Sequence, residues 1–321
     1  MLERVAVLTS GGDAPGMNAC IRAVVRAGLG RGAQVFGVRR GYEGLIDGDI
    51  FLLQSKDVGG IISRGGTILR SARSQRFLEK EWRGKAYTNL IDLGVQGLVV
   101  IGGDGTLRGA HVFYSESGIA VIGVPASIDN DIPLTDLSIG FDTAVNTALE
   151  AVDRVRDTAY SHERVFVIEV MGRRNGFIAL EAGLAGGAEA ILIPEVPYSL
   201  HEVCSRLKAG HERGKRSSII VVAEGAGSAE KVHNFIREHT GYEARYLVLG
   251  HMQRGGNPTA VDRVMATRLG ATAVNRLING EKDEMVGVVG DKVVSFPMEE
   301  VFKARKEIDP ERLLLVEVMA Q

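Results

Sequence analysis

The chain has 321 residues, 45% of them hydrophobic, with 38 Lys and Arg against 40 Asp and Glu for a net charge of −2. That length favours two domains over one, and the near-neutral balance gives no general support for a nucleic-acid partner, so any anion site must come from local Arg and Lys clusters. Only Cys20 and Cys204 occur, which excludes a disulfide framework, suits a reducing cytoplasm and leaves both thiols to pack as small buried hydrophobes.

The opening Met1-Leu2-Glu3-Arg4 lacks the charged-then-apolar order of a secretory signal. No apolar run approaches the ~20 residues of a membrane span. A soluble, cytoplasmic chain with no membrane partner is therefore expected.

The apolar run at 4–8 reads as a buried parallel strand and ends in Thr9-Ser10-Gly11-Gly12-Asp13. Backbone amides at Gly11 and Gly12, with the N-terminus of a helix expected over 17–30, can form an anion cradle; a purely structural strand-to-helix turn is the equal alternative. The loop is neither a Walker lysine loop nor a G-x-G-x-x-G fingerprint. After a strand at 34–38, the run at 97–101 breaks into Gly102-Gly103-Asp104-Gly105-Thr106. Asp104 could cap the next helix or hold Mg²⁺ beside nucleotide phosphates. Glycines on both sides favour the metal, because a cap needs only the carboxylate.

The run at 119–124 leads into Pro125-Ala126-Ser127-Ile128-Asp129-Asn130-Asp131. In an extended segment Asp129 and Asp131 would face opposite ways, so one could take a proton from an attacking hydroxyl while the other assists. An Asx-rich surface turn is the alternative. A domain boundary is expected near Ile139-Gly140, before a helix over 142–158, and a second crossing near Gly250. Strands at 165–170, 190–193, 218–223 and 246–249 complete an alternation that argues for an α/β fold with parallel sheets, whose ligands collect at the carboxyl ends of the strands. Arginines sit in glycine turns at Arg64-Gly65-Gly66, Met171-Gly172-Arg173 and Arg254-Gly255-Gly256, where a guanidinium fork matches phosphate oxygens. The basic turn at 211–216 reads, by itself, as a solvated loop.

Together these residues resemble the bacterial ATP-dependent 6-phosphofructokinase family of glycolytic enzymes. The likeness runs from TSGGDAPGMN at 9–18 to HMQRGGNPTAVDR at 251–263, through GGTILRSAR, VVIGGDGT, PASIDNDI, GFDTAVNT, SHERVFVIEVMGR, GGAEAILIPE and VVAEG. Only the last ~50 residues carry no motif of this kind. The resemblance implies two doubly wound domains with mostly parallel sheets and the active site in the cleft between them. The ATP-binding domain would be 1–139 with 251–302, and the fructose-6-phosphate-binding domain 140–250 with 303–321.

The resemblance also implies roles. Gly12, Tyr42, Arg73, Ser74, Gly103, Asp104, Gly105 and Thr106 fall in the ATP site, with Asp104 as the Mg²⁺ ligand. Asp129 matches the base that takes the proton from the sugar 1-hydroxyl, with Asp131 beside it, and Gly12, Ser127 and Arg173 lie near the transferring phosphoryl group. Ser127, Asp129, Met171, Gly172, Arg173, Glu224, His251 and Arg254 correspond to fructose 6-phosphate contacts. Arg164 and Arg245 match arginines reaching in from a neighbouring subunit, which implies a homotetramer. Arg22, Arg26, Arg156, Gly187, Glu189, Arg213 and Lys215 fall at an effector site between subunits, where ADP activates and phosphoenolpyruvate inhibits by shifting a two-state equilibrium. That raises the basic turn at 211–216 to an anion site.

The chain departs from the family at Ala126 and Ser127, where PGTIDND is usual, and at Ser217, where some relatives carry His. Pyrophosphate-dependent relatives have GGDD and PKTIDND; Gly105 and Ala126 lack the side chains that obstruct the nucleotide there, so ATP is the expected donor. The rival readings are a pyrophosphate-dependent enzyme, a kinase of the NAD or diacylglycerol type, which shares the GGDGT turn, and a non-catalytic phosphometabolite-binding regulator. MGR and HMQRGG count against the NAD or diacylglycerol kinase, and the retained Asp104, Asp129 and Asp131 against the regulator.

Overall fold

Every apolar run read as a strand becomes one in the computed structural model, which describes residues 2–319. In chain order the strands are β1 (Arg4–Ser10), β2 (Gln34–Val38), β3 (Ile50–Leu53), β4 (Gly97–Gly102), β5 (Ala120–Pro125), β6 (Val165–Val170), β7 (Ala190–Leu192), β8 (Ser218–Ala223), β9 (Ala244–Val248), β10 (Glu284–Val289) and β11 (Lys292–Pro297). They form a seven-stranded sheet, ordered β11-β10-β5-β4-β1-β2-β3, and a four-stranded sheet, ordered β7-β8-β6-β9. The smaller sheet is parallel throughout. In the larger, β2 pairs antiparallel with β3, and β10 with β11. Every residue of β4 and of β8 is buried, which is why these strands are unbroken apolar runs.

Three strands, β3, β10 and β11, were not read from the sequence. Both ends of the larger sheet are antiparallel additions, and β11 has no fully buried residue, so its apolar signal is diluted by partial exposure. Strand β10 joins it through the turn at Gly290 and Asp291.

The chain divides into two units, Met1–Thr143 with Arg254–Lys306, and Ala144–Gln253 with Glu307–Gln321. Each has its own core: Leu8, Leu45, Leu98 and Phe113 belong to the first, Val167, Leu207, Ile220 and Ile236 to the second. The crossings fall a few residues beyond those read from the sequence, for a physical reason. Asp262, fully buried, accepts from the amides of Gly140 at 2.8 Å and Thr143 at 2.9 Å. This ties the first turn of the helix Phe141–His162 to the first unit. Lys306 donates to Thr135 O at 2.7 Å and keeps the segment up to 306 in that unit as well. Met1, Ala320 and Gln321, which the expected domain ranges include, lie outside the described residues.

Cys20 and Cys204 are buried free thiols, and burial pushes both thiol pKa values up. Among the described residues no helix is long and apolar enough to cross a membrane.

Candidate active site

Three aspartate-bearing loops, the first two of them glycine-rich, begin side by side on one sheet edge. Strands β1, β4 and β5 are parallel neighbours, with Ser10 opposite Gly102 and Gly102 opposite Pro125, so the loops after them share the carboxyl edge. Side chains brace this edge from within. Thr106 Oγ1 donates to Ser10 O at 3.0 Å, and the Tyr42 hydroxyl donates to Thr106 O at 2.6 Å. The Tyr42 ring stacks on Phe77 with centroids 3.8 Å apart. Tyr42 is only 4% exposed, so within this chain it supports the loop from beneath.

The Gly11 amide, expected in an anion cradle, is already engaged: it donates to Ala72 O at 3.2 Å. The segment that follows Arg64-Gly65-Gly66 lies along this loop, for Ser71 Oγ donates to Gly11 O at 2.8 Å and Thr9 Oγ1 to Arg70 O at 2.9 Å. Any cradle on β1 therefore centres on Gly12. A Cβ at Gly12 would lie 2.1 Å from Arg254 Nη1, so the guanidinium at the end of that flexible side chain would have to move aside. In the same segment Arg73 is exposed, and Ser74 Oγ accepts from the Phe77 amide at 3.1 Å.

Asp104 opens the helix Asp104–Ser117, whose N-cap is Gly103, so the capping alternative falls. Both its oxygens accept from Arg108 Nε, at 3.0 and 2.9 Å. Gly105 is not required by packing, because a Cβ there meets nothing within 4 Å.

Asp129 and Asp131 do not lie on an extended segment. Asn130 between them has φ 52, a left-handed conformation that Asn tolerates better than most residues, so the alternating-face expectation does not apply. Both carboxylates are half-buried. Ser127 Oγ donates to Asp131 Oδ1 at 3.0 Å.

In the second unit, Val170 of β6 stands opposite Ala223 of β8, so Met171-Gly172-Arg173 and Glu224 start side by side. Gly172 has φ 134, and a Cβ there would lie 2.4 Å from Asn175 O; only glycine fits. The Met171 amide donates to Gln253 Oε1 at 2.7 Å. Gln253 is fully buried; it stands inside HMQRGG between His251 and Arg254, where nothing local distinguishes it from its neighbours.

Register also brings Arg164 and Arg245 together, because Val165 pairs with Ala244. Both arginines bind Glu243 Oε1, at 2.8 and 2.7 Å. The Arg164 guanidinium holds the Glu243 carboxyl below the usual range. No sequence motif marks Glu243; strand pairing alone gives it this place.

Four of the expected effector residues cluster in the second unit. Arg156 donates to Gly186 O, and to Gly187 O at 2.9 Å. Lys215 Nζ pairs with Glu189 Oε1 at 2.8 Å, and Glu189 Oε2 accepts from the Ile219 amide. Glu189 and Lys215 line a pocket together with Arg206 and Ser218. Arg213 is exposed at the end of the helix Leu200–Glu212. Arg22 and Arg26 lie on the helix Met17–Gly30 of the first unit.

Among the described residues no group of three or more His, Cys, Asp or Glu could hold a metal ion. A hard cation at this edge would take one carboxylate, that of Asp104, and complete its shell with phosphate and water oxygens. That is the habit of Mg²⁺ at nucleotide sites.

Comparison with known proteins agrees with this geometry. Residues 4–277 match the protein family described as Phosphofructokinase. The ATP-dependent 6-phosphofructokinase 1 of Thermus thermophilus is 57% identical over 321 residues, covering 99% of this chain and 100% of its own. The ATP-dependent 6-phosphofructokinase of Bacillus subtilis is 54% identical over 308 residues, 96% of each chain. Phosphofructokinase from Saccharomyces cerevisiae superposes with a TM-score of 0.89 at 39% identity over 94% of this chain, which spans 45% of that longer polypeptide.

Proposed function

The chain belongs to the phosphofructokinase family, and we propose that it transfers the γ-phosphoryl group of ATP to the 1-hydroxyl of fructose 6-phosphate, giving fructose 1,6-bisphosphate and ADP in glycolysis. The observation that carries this reading is the register of β1, β4 and β5, which lines up three aspartate-bearing loops in a chain 57% identical to an ATP-dependent 6-phosphofructokinase.

Asp129 accepts the proton of the 1-hydroxyl as its oxygen attacks the γ-phosphorus, and Asp131, bonded to Ser127, stands next to it in the turn. The loop amides at Gly12, with Arg73 and Arg173, offset charge on the transferring phosphoryl group. Met171, Gly172, Glu224, His251 and Arg254 bind the sugar phosphate. The first unit binds ATP through Gly12, Arg73, Ser74, Gly103, Asp104, Gly105 and Thr106, with Tyr42 beneath. Asp104 would hold the Mg²⁺ that arrives with the nucleotide; when bound, that ion neutralises charge on the phosphate oxygens.

The active form is a cytoplasmic homotetramer in which Arg164 and Arg245 serve a neighbouring subunit's sugar phosphate. ADP as activator and phosphoenolpyruvate as inhibitor bind around Arg22, Arg26, Arg156, Gly187, Glu189, Arg213 and Lys215. The clustering of Arg156, Gly187, Glu189 and Lys215 beside a pocket supports that site. The open space at Gly105 supports ATP over pyrophosphate.

A coupled assay for fructose 1,6-bisphosphate tests the reading, offering fructose 6-phosphate with ATP or pyrophosphate, each with and without ADP and phosphoenolpyruvate. Product with ATP is expected. Product with pyrophosphate alone overturns the choice of donor, and no product from either overturns the activity.

A further inference from the structure

Asn130 holds a conformation that L-residues rarely adopt, φ 52, between the two carboxylates of the transfer site. Such a residue persists only where its surroundings over-determine it. Asn130 is 4% exposed, and its side chain is held from several directions. Oδ1 accepts from the Ser138 amide at 2.9 Å and from Ser138 Oγ at 3.2 Å. Nδ2 donates to Asp136 O at 3.1 Å. The remaining donor comes from far along the chain: Lys306 Nζ, 176 residues away, reaches Oδ1 at 2.9 Å.

The same ammonium donates to Thr135 O at 2.7 Å and to Asp136 O at 2.9 Å. An ammonium has three N–H groups, and each has an acceptor within this one loop. These three acceptors are carbonyl oxygens, and with the nearby carboxylates of Asp136 and Asp131 they offset only part of the cost of taking an ammonium out of water. A methionine of similar length would fill the space without that cost. A lysine here is therefore explained by what it holds.

We infer that Lys306 is a positioning residue for phosphoryl transfer, clamping the left-handed turn at Asn130 that sets the directions of Asp129 and Asp131. This rests on the reading of Asp129 as the base. Burial pushes the Lys306 ammonium down to about 8, opposed by the carboxylates of Asp136 and Asp131. Asp136 is itself fixed from the β10–β11 turn, where the Gly290 amide donates to its Oδ2 at 2.7 Å; Arg305 and Glu307 flank Lys306 along the chain. The clamp is charged at neutral pH and loses a donor as pH rises through that value.

The test compares the wild type with Lys306→Met and Lys306→Arg, measuring kcat, both KM values and the pH profile of kcat. Misplacing a reacting group by about an ångström can cost on the order of 100-fold, so Lys306→Met is expected to lose about 10–100-fold in kcat with KM for ATP little changed. Lys306→Arg, which does not deprotonate in this range, keeps most of the activity and moves the alkaline fall in kcat upward from about 8. A Lys306→Met enzyme with wild-type kcat and wild-type pH profile overturns the inference. If that variant does not fold, the Arg variant decides alone: an unmoved alkaline limb overturns it. Wild-type turnover with unaffected variants removes this inference only, whereas a wild type that transfers nothing to fructose 6-phosphate removes the reading beneath it too.

Discussion

Gly12 and Gly105 differ in what a side chain there would meet. A Cβ at Gly12 would collide with the Arg254 guanidinium, while one at Gly105 would meet nothing within 4 Å. The first would displace only the end of a flexible side chain, and the second leaves open a volume at the loop. On the proposed reading of Asp129 as the base, its loss separates chemistry from binding. General-base assistance contributes about 10²–10⁴-fold, so Asp129→Ser is expected to lower kcat by about that factor while KM for fructose 6-phosphate changes little. A steady-state rate near that of the wild type would remove Asp129 from the role.

Among the elements, the helix Phe141–His162 shows how a chain crossing is held. Its first turn has amides with no partner inside the helix. Asp262 supplies acceptors to Gly140 and Thr143, and its own amide is capped by Thr259 Oγ1 at 3.3 Å. Burial raises the Asp262 carboxyl above its usual range, against the hydrogen bonds from Thr143 and Gly140. Asp262→Ala strands buried amides at about 1–3 kcal/mol each, so a lower midpoint in urea or thermal unfolding is expected. An unchanged midpoint would mean that the clamp contributes nothing. Strand register acts at the same scale: it places Arg164 beside Arg245 on Glu243, and Met171 beside Glu224.

For the whole molecule, acid sensitivity follows from three carboxylates held below their ordinary 4.5 by arginines: Glu43 by Arg76, Glu116 by Arg83 and Glu243 by Arg164. A folded pKa below the unfolded one means that the native state binds fewer protons in that window. The stability these pairs supply is therefore full above 4.5 and lost as pH falls through the folded values. The Arg83–Glu116 pair is two-pronged, at 2.7 and 2.8 Å with Arg83 buried; the half-exposed Glu243 is the most screened of the three carboxylates. Melting midpoints measured from about pH 6 to 3 should fall across this window, and Glu116→Gln should flatten the fall. A flat wild-type profile would remove the pairs from the stability of the fold.

Much of this protein was legible in one dimension because its signals are local. A strand buried on both faces must be an unbroken apolar run, so β1, β4 and β8 announced themselves, and glycines clustered with an aspartate at a strand end marked the loops after β1 and β4. The partly exposed β11 carried no such run. The engaged amide of Gly11, the turn between Asp129 and Asp131, and the places of Gln253, Glu243 and Lys306 came only with the tertiary structure. Gln253 bonds across 82 residues and Lys306 across 176. Residue identity and spacing determine which chemistry a loop can carry, while sheet order and register decide which distant side chain meets it, and no local pattern encodes a partner that far away.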